Sequence, residues 1–427
     1  MPSHEATVTV GAPPKREAAS PECRFCRAPL RQTVIDLGMS PLCESFLRPE
    51  QLDAMEPFYP LHVRVCEACF LVQLQEYVPP TEIFTEYAYF SSYSDSWVRH
   101  AEDYTDSMVE RFRLSDQSLV IEVASNDGYL LQHFVARRVP VLGIEPAENV
   151  ARAASERGIP TLVEFFGTEL AQRLVREGRR ADLVAANNVL AQVPDLNDFV
   201  EGLAIVLADD GVLTVEFPHL MRLIEENQFD TIYHEHFSYF SFKTACKIFA
   251  AHGLRVFDVD ELASHGGSLR IYACLNESGS HGTKETVAEL TAREEAVGYG
   301  TLEPYADFRA GVEETKRALL DFLIRAKRDG LTVAGYGAPG KGNTLLNYCG
   351  IRTDFLDFTV DRNPYKHGLY LPGTHIPILH PDALEERKPD YILILPWNLR
   401  NEIAQQLEYT RSWGARSVIA IPRLEVD

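Results

Sequence analysis

Two Cys-x-x-Cys turns constrain this chain more than any other feature: Cys23 and Cys26 in PECRFC, and Cys66 and Cys69 in VCEACF. Each turn lets two thiolates face one ion, and two turns complete a tetrahedron. Four thiolates leave no open coordination position, so the pattern points to a structural zinc ion rather than a catalytic one. A redox pair is the other common use of the spacing, but no thioredoxin-like pattern surrounds these turns. Cys43, between the two turns, is a candidate spare ligand. Cys246, Cys274 and Cys349 fall in apolar periodic segments and read as core thiols. The segment 21–80 therefore reads as a small sheet-and-loop module folded over a metal. Four basic residues, Arg24, Arg27, Arg31 and Arg48, lie between Pro21 and Leu61, too sparse a set for a nucleic-acid patch.

A length of 427 residues corresponds to about two to three domains. The net charge of −21 argues against a general phosphate-backbone binder. No apolar run approaches the roughly 18 residues of a membrane span. The first twenty residues have no apolar centre, so 1–20 reads as a disordered tail rather than a secretory signal. The expectation is a cytoplasmic monomer or weak oligomer with neither nucleic acid nor membrane as partner.

From Ser118 onward, short apolar runs alternate with helical patterns, as in a doubly wound α/β sheet. Candidate strands are 119–125, 140–145, 160–165, 181–187 and 211–217, followed by 254–260 and 268–275. The last two lie too close for a helical crossover, so at least one should be antiparallel. The first strand runs into Glu122-Val-Ala-Ser-Asn-Asp-Gly128, where a cofactor approaches the backbone in such folds. The loop has one glycine and is not GxGxxG. A pyrophosphate cofactor favours a glycine-lined helix start, whereas an acidic loop suits a cationic or neutral one. S-adenosylmethionine carries a sulfonium and an ammonium and no phosphate, so it fits. Glu122, Ala124, Asn126 and Gly128 are the candidate contacts. Glu145, ending the second strand, can accept from both ribose hydroxyls. Asn187 and Asn188 end the fourth strand beside the same site, although turn asparagines would read alike. A nicotinamide domain is the rival reading.

The densest polar cluster is Tyr233-His234-Glu235-His236. Making a carbon nucleophile beside a ketone requires a base. Histidine serves near neutral pH, and a carboxylate can orient it. In extended chain His234 and His236 would share one face; a His-x-His metal pair and a purely structural cluster are the competing readings. Tyr87, Tyr89 and Ser91 belong to a tyrosine- and serine-rich stretch that could cover a polar ligand. His265 precedes two glycines at the start of the last strand. Farther on, a long helix is expected over Tyr305–Arg328. A strand then enters Gly335-Tyr-Gly337-Ala-Pro-Gly-Lys341-Gly-Asn343, a plausible phosphate cradle that is not the GxxxxGK[ST] loop. Asp361 ends the next strand and Tyr365 follows it. Read alone, this half would suggest NAD.

In this order the pieces resemble the S-adenosylmethionine-dependent C-methyltransferases that act on nucleotide-activated ketosugars in deoxysugar biosynthesis. The likeness runs from about Cys23 to the C-terminus, and YHEH (233–236) and GKGNTLLNY (340–348) are its most specific strings. It implies an α/β chain: a class I methyltransferase Rossmann-like sheet (81–285) between an N-terminal zinc-binding module (21–80) and a C-terminal Rossmann-like sugar-nucleotide domain (286–427). It also implies proton removal beside a 4-keto group, usually at C-3, and attack of the enolate on the sulfonium methyl. His236 matches the family base. Tyr233 and Glu235 match residues near the reacting carbon, and Tyr87, or Tyr89 beside it, matches a sugar contact. Ser91, Gln192, His265, Gly337, Lys341, Asn343, Asp361 and Tyr365 are the expected substrate contacts, with Lys341 neutralising phosphate. The zinc module would close over the sugar. One departure stands out: the family usually has a histidine where this chain has Gln192, which can hydrogen-bond but cannot take a proton at neutral pH. That leaves open a different sugar, a different carbon or a non-sugar ketone. A nicotinamide-dependent sugar-nucleotide oxidoreductase and a non-enzymatic zinc-linked binding protein are the alternatives from other classes.

Overall fold

A computed structural model describes residues 21–83, 91–93 and 95–427; the expected tail 1–20 lies outside them. The middle of the chain forms a seven-stranded sheet in the order Leu254–Leu262, Ser268–Leu275, Leu207–Pro218, Ala181–Asn187, Val120–Val123, Val141–Ile144, Thr161–Leu162. Ser268–Leu275 is antiparallel to both neighbours, and the remaining pairs are parallel. The turn 263–267 is too short for a crossover, which forces that reversal. Central strands such as Ala181–Asn187 are buried almost throughout, because helices cover both faces. One face packs Leu170, Phe199, Val215 and Phe249, and the other packs Tyr104, Phe134, Ile159 and Tyr272.

The C-terminal third forms a second sheet, ordered Ile378–Leu379, Thr359–Val360, Val333–Tyr336, Tyr391–Ile394, Arg416–Ile419, Glu425–Val426. Its first five strands are parallel and the last is antiparallel. The long helix expected from Tyr305 starts instead at Phe308. Tyr305 belongs to a separate single turn, Glu303–Ala306, with its ring edge-on to Tyr299.

The zinc-module sheet contains Gln32–Ser40, Tyr59–Val65 and Val72–Leu74, all antiparallel. Its fourth strand comes from far along the chain: Ser238–Tyr239 pairs with Val72–Gln73, and the Leu74 amide donates to the Phe237 carbonyl at 3.0 Å. Val34, Ile35, Leu61 and Val63 of this sheet share one continuous core with Val333, Leu346 and Leu371 of the C-terminal third.

Ligands of open α/β sheets sit beyond the strand carboxyl ends, where the strand order reverses. In the seven-stranded sheet that reversal lies between Val120–Val123 and Ala181–Asn187; in the C-terminal sheet it lies between Val333–Tyr336 and Tyr391–Ile394. Both reversals open onto the same cavity of about 720 Å³.

Gly128 holds the first of these loops in shape. Its φ is +78°, and a β-carbon there would lie 2.2 Å from Ile159 Cδ1. Gly128→Ala should therefore cost about 2–4 kcal/mol, combining left-handed backbone strain with overpacking. A thermal melt should show a clearly lower midpoint, and an unchanged midpoint would contradict this packing.

Candidate active site and zinc centre

The two cysteine turns are near copies of each other. The Arg27 amide donates to the Cys23 carbonyl and the Phe70 amide to the Cys66 carbonyl, both at 2.9 Å. Arg27 and Phe70 both adopt φ +62°. Cys23 and Cys69 Sγ lie 3.5 Å apart, as do Cys26 and Cys66 Sγ, and all four sulfurs fall within 4.8 Å of one another. Zinc–thiolate bonds of about 2.3 Å in a tetrahedron place sulfurs about 3.8 Å apart, so the residues fit zinc. Gln73 Nε2 donates to Cys23 Sγ at 3.2 Å, an outer contact that orients a ligand. Cys43 is not a spare ligand. The chain carries it away from the cluster, and its Sγ lies 3.5 Å from Glu235 Oε1. Cys274 and Cys349 are buried, whereas Cys246 is half-buried.

At the end of the cavity formed by the seven-stranded sheet, Ala124 and Asn126 take φ of +60° and +49°. Left-handed backbone at residues other than glycine marks a loop whose shape is imposed by its surroundings. The Ala124 amide donates to the Ile144 carbonyl at 2.8 Å. Glu145 accepts from the amides of Asn126 (3.0 Å) and Ala147 (2.9 Å), which aim its carboxylate, and burial raises its pKa. Ala124, Asn126, Glu145, Asn187 and Asn188 all line the cavity. Asn187 Oδ1 and both side-chain polar atoms of Asn188 are buried without a hydrogen-bond partner among the described residues. Such groups are rare unless a ligand completes them, so this wall fits a polar cofactor. Glu122 and Gly128 stand behind the wall. Burial, followed by the charges of Glu145 and Asp127, pushes the Glu122 carboxyl well above the usual range.

The Ser91 amide donates to Asn126 Oδ1 at 2.9 Å, and Ser92 Oγ donates to Asp127. Segment 91–93 is thus tied to the loop, and Ser91 lines the cavity. Tyr87 and Tyr89 lie outside the described residues.

The Tyr233–His236 segment is a turn, not extended chain: the His236 amide donates to the Tyr233 carbonyl at 2.9 Å. The turn separates the two histidines. His234 goes to the protein interior, edge-on to Tyr59 and Tyr77, and burial lowers its pKa to about 4. Tyr233, Glu235 and His236 face the cavity, with the Tyr233 and His236 rings 4.1 Å apart. His236 Nδ1 lies 2.9 Å from the Thr231 carbonyl oxygen. A carbonyl only accepts, so Nδ1 carries the proton and Nε2 of the neutral ring is left free to take one. Burial, with help from Lys341, lowers the His236 pKa to about 4. At neutral pH the ring is an unprotonated base.

Gln192 and His265 complete this part of the wall. Burial first, then Lys341, lowers the His265 pKa to about 3. Trp97, which sequence reasoning missed, lies between His265 (5.1 Å) and Tyr129 (6.0 Å) and lines the cavity.

From the C-terminal sheet, Gly337, Lys341 and Asp361 reach the cavity. Asp361 accepts from the Ala338 amide at 2.7 Å. Asn343 does not reach it: it is 1% exposed and its Nδ2 donates to the Cys43 carbonyl at 3.5 Å. Tyr365 points outward, 62% exposed, and its neighbour Lys366 turns in instead. Pro364 opens a 3-10 turn there, which rotates successive side chains to different sides. Lys366 Nζ donates to the Ala338 carbonyl at 2.9 Å and pairs with Glu44 at 3.5 Å. Glu44, from the loop after the first zinc-module strand, also lines the cavity. The CES string (43–45) offered a signal, a polar pair within an otherwise apolar loop.

Three family models match consecutive parts of the chain: a zinc binding domain at residues 23–84, a methyltransferase domain at 97–259 and a C-methyltransferase C-terminal domain at 263–422. The C-methyltransferase NovU of Streptomyces niveus is 36% identical over 405 residues, 95% of this chain and 96% of NovU. Among solved structures, magnesium protoporphyrin IX methyltransferase from Synechocystis PCC 6803 with bound SAM is 17% identical, covering 42% of this chain and 81% of that chain at a TM-score of 0.31. An S-adenosylmethionine-dependent methyltransferase from Clostridium acetobutylicum is 9% identical, covering 42% and 92% at a TM-score of 0.33.

The chain belongs to the C-methyltransferase family. It is an S-adenosylmethionine-dependent enzyme that forms carbon–methyl bonds, and its four-cysteine cluster is a structural zinc site. Family membership decides against the nicotinamide reading of the glycine loop. No helix among the described residues is long and apolar enough to cross a membrane.

Because Ser238–Tyr239 completes the zinc-module sheet, removing the metal should reach the Tyr233–His236 turn. Chelation should strip zinc and raise amide exchange at both Val72–Leu74 and Phe237–Tyr239, read by hydrogen–deuterium exchange. Exchange confined to residues 21–80 would contradict this coupling.

Proposed function

We propose that the acceptor is a nucleotide-activated 4-keto-deoxysugar, methylated on a carbon beside the ketone, in the first instance C-3. The observation that carries this reading is His236: a neutral imidazole with a free Nε2, facing a cavity shared by two nucleotide-type sheets. Carbon beside a ketone becomes nucleophilic only when a base takes its proton. His236 is that base, held in its tautomer by Thr231. Tyr233, kept protonated by burial, donates a hydrogen bond to the sugar, and Glu235 orients it. Gln192 and His265 contact its hydroxyls. S-adenosylmethionine, when bound, supplies a methyl on a sulfonium, to which the enolate carbon bonds as the sulfur leaves with the electron pair. Glu145 takes the ribose hydroxyls, with Ala124, Asn126, Asn187 and Asn188 around the rest of the cofactor. The nucleotide lies along Gly337 and Asp361 of the C-terminal domain, and Lys366 offsets phosphate charge. The loop at Glu44 brings the zinc module over the sugar.

The direct test is incubation with S-adenosylmethionine and a thymidine-diphosphate 4-keto-deoxysugar, followed by NMR, which identifies the carbon bearing the new methyl. No methyl on any such sugar would overturn the substrate class. His236→Ala should remove turnover while leaving S-adenosylmethionine affinity within about 3-fold; a retained full rate would exclude His236 as the base. Glu145→Ala should weaken the cofactor by roughly 10- to 100-fold in calorimetry, corresponding to about 1.4–2.8 kcal/mol, and unchanged affinity would contradict the ribose assignment.

The pH dependence has a definite sign. The His236 pKa lies below that of a free imidazole, so the base stays unprotonated as pH falls through 6.5 and is lost only toward about 4. Solvent exchange at the sugar carbon should hold its rate between pH 8 and 5.5. A fall centred near pH 6.5 would contradict the buried-base account.

A further inference from the structure

Lys341 occupies the base's end of the cavity rather than the end nearest Asp361. Lys341 and Thr344 lie on one face of the helix Gly340–Cys349, one turn apart. Thr344 Oγ1 donates to the Ile232 carbonyl at 3.0 Å, which docks this face against the residue before Tyr233. Lys341 Nζ donates to Asn398 Oδ1 at 2.9 Å and lies 4.9 Å from the centre of the Trp397 ring. Trp397 Nε1 in turn donates to the buried Asp230 carboxylate at 2.7 Å. The far edge of the Trp397 indole presses on Gly266, where a β-carbon would fall 2.5 Å from the ring. Lys341 is therefore held between the turn that carries His236 and the turn that carries His265. Its positive charge is felt at both histidines, lowering each. The second inward lysine, Lys366, faces Ala338 and Glu44 instead. Lys341 and Lys366 thus stand at different parts of a cavity that Arg362 also lines.

We infer that Lys341 is a catalytic residue of the methyl transfer: its ammonium faces the carbonyl oxygen of the substrate ketone and holds the negative charge that collects there. This rests on the base role of His236 proposed above. The C–H proton passes to His236 Nε2, and the C–H electron pair becomes the enolate double bond. The carbonyl π pair moves to oxygen, where Lys341 meets it with a charge-assisted hydrogen bond. When the carbon takes the methyl group, the carbonyl returns and the proton stays on His236. Asn398 takes one of the three ammonium donors and Trp397 covers one side, so the group is aimed before substrate arrives. A preorganised donor in a water-poor site is worth about 10²–10³ in rate.

The test compares Lys341→Met and Lys341→Gln with the wild-type enzyme. Four quantities are measured: thymidine diphosphate affinity by calorimetry, KM and kcat for methyl transfer to a thymidine-diphosphate 4-keto-deoxysugar, and solvent deuterium entry into that sugar. Wild-type deuterium entry and methyl transfer test the base reading by themselves; the variants test Lys341. The expected result is a loss of about 10²-fold or more in both kcat and deuterium entry, with thymidine diphosphate affinity and KM within about 3-fold. Whatever rate remains should have its acid limb at higher pH, because removing the cation raises the His236 pKa. Lys341→Arg should recover part of the rate. If the variants instead weaken thymidine diphosphate at least 10-fold and recover kcat at saturation, Lys341 is a phosphate anchor and the inference fails. Unchanged kcat and deuterium entry would overturn it equally. Lys341→Gln keeps a hydrogen-bonding end toward Asn398, so the comparison survives if the methionine variant misfolds.

Discussion

The short pairing of Ser238–Tyr239 with Val72–Gln73 is the contact on which the active site depends. It adds a strand from the methyltransferase half to the zinc-module sheet, directly after the turn that presents His236. Upstream of the same turn, Thr344 of the C-terminal half holds the Ile232 carbonyl. A four-residue turn has little stability of its own, since its hydrogen bonds compete with water. Here it is gripped on both sides by elements that share one core. The zinc module can in this way set the position of His236, the proposed base.

A second constraint is geometric. Both mainly parallel sheets bring their order reversals to one cavity, so each half offers the kind of site that such sheets build at strand carboxyl ends. One half supplies an acidic loop and unpartnered asparagines; the other supplies a glycine turn and an inward lysine. Charge sorts the two, because sulfonium and ammonium groups suit the first and anionic groups the second. The shared core between the zinc module and the C-terminal sheet resists their separation.

Much of this was legible in the chain itself. Strands 181–187 and 268–275 match their apolar runs residue for residue, because buried strands leave no choice of face. The metal ligands were legible for a similar reason: Cys-x-x-Cys geometry is local. The Tyr233–His236 turn was not. In extended chain His234 and His236 would share one face, yet an i to i+3 hydrogen bond sends them apart. No local pattern encodes the pairing of residue 72 with residue 239. Likewise, Tyr365 and Lys366 are neighbours in one loop, and only the 3-10 turn opened by Pro364 decides which side chain turns inward. Cys43 looked like a metal ligand because cysteines cluster in sequence; its contact with Glu235 spans 192 positions of chain.

The central claim is that methyl donor and activated sugar enter one cavity from opposite sheets and meet at His236. A crystal structure of the zinc-loaded enzyme with S-adenosylhomocysteine and thymidine diphosphate tests it most directly. The account predicts the homocysteine product beside Ala124, Glu145 and Asn188. It predicts the diphosphate beside Gly337, with the His236 imidazole in the gap between the two ligands. A nucleotide bound outside this cavity, or both ligands on the same sheet with His236 screened from them, would contradict it.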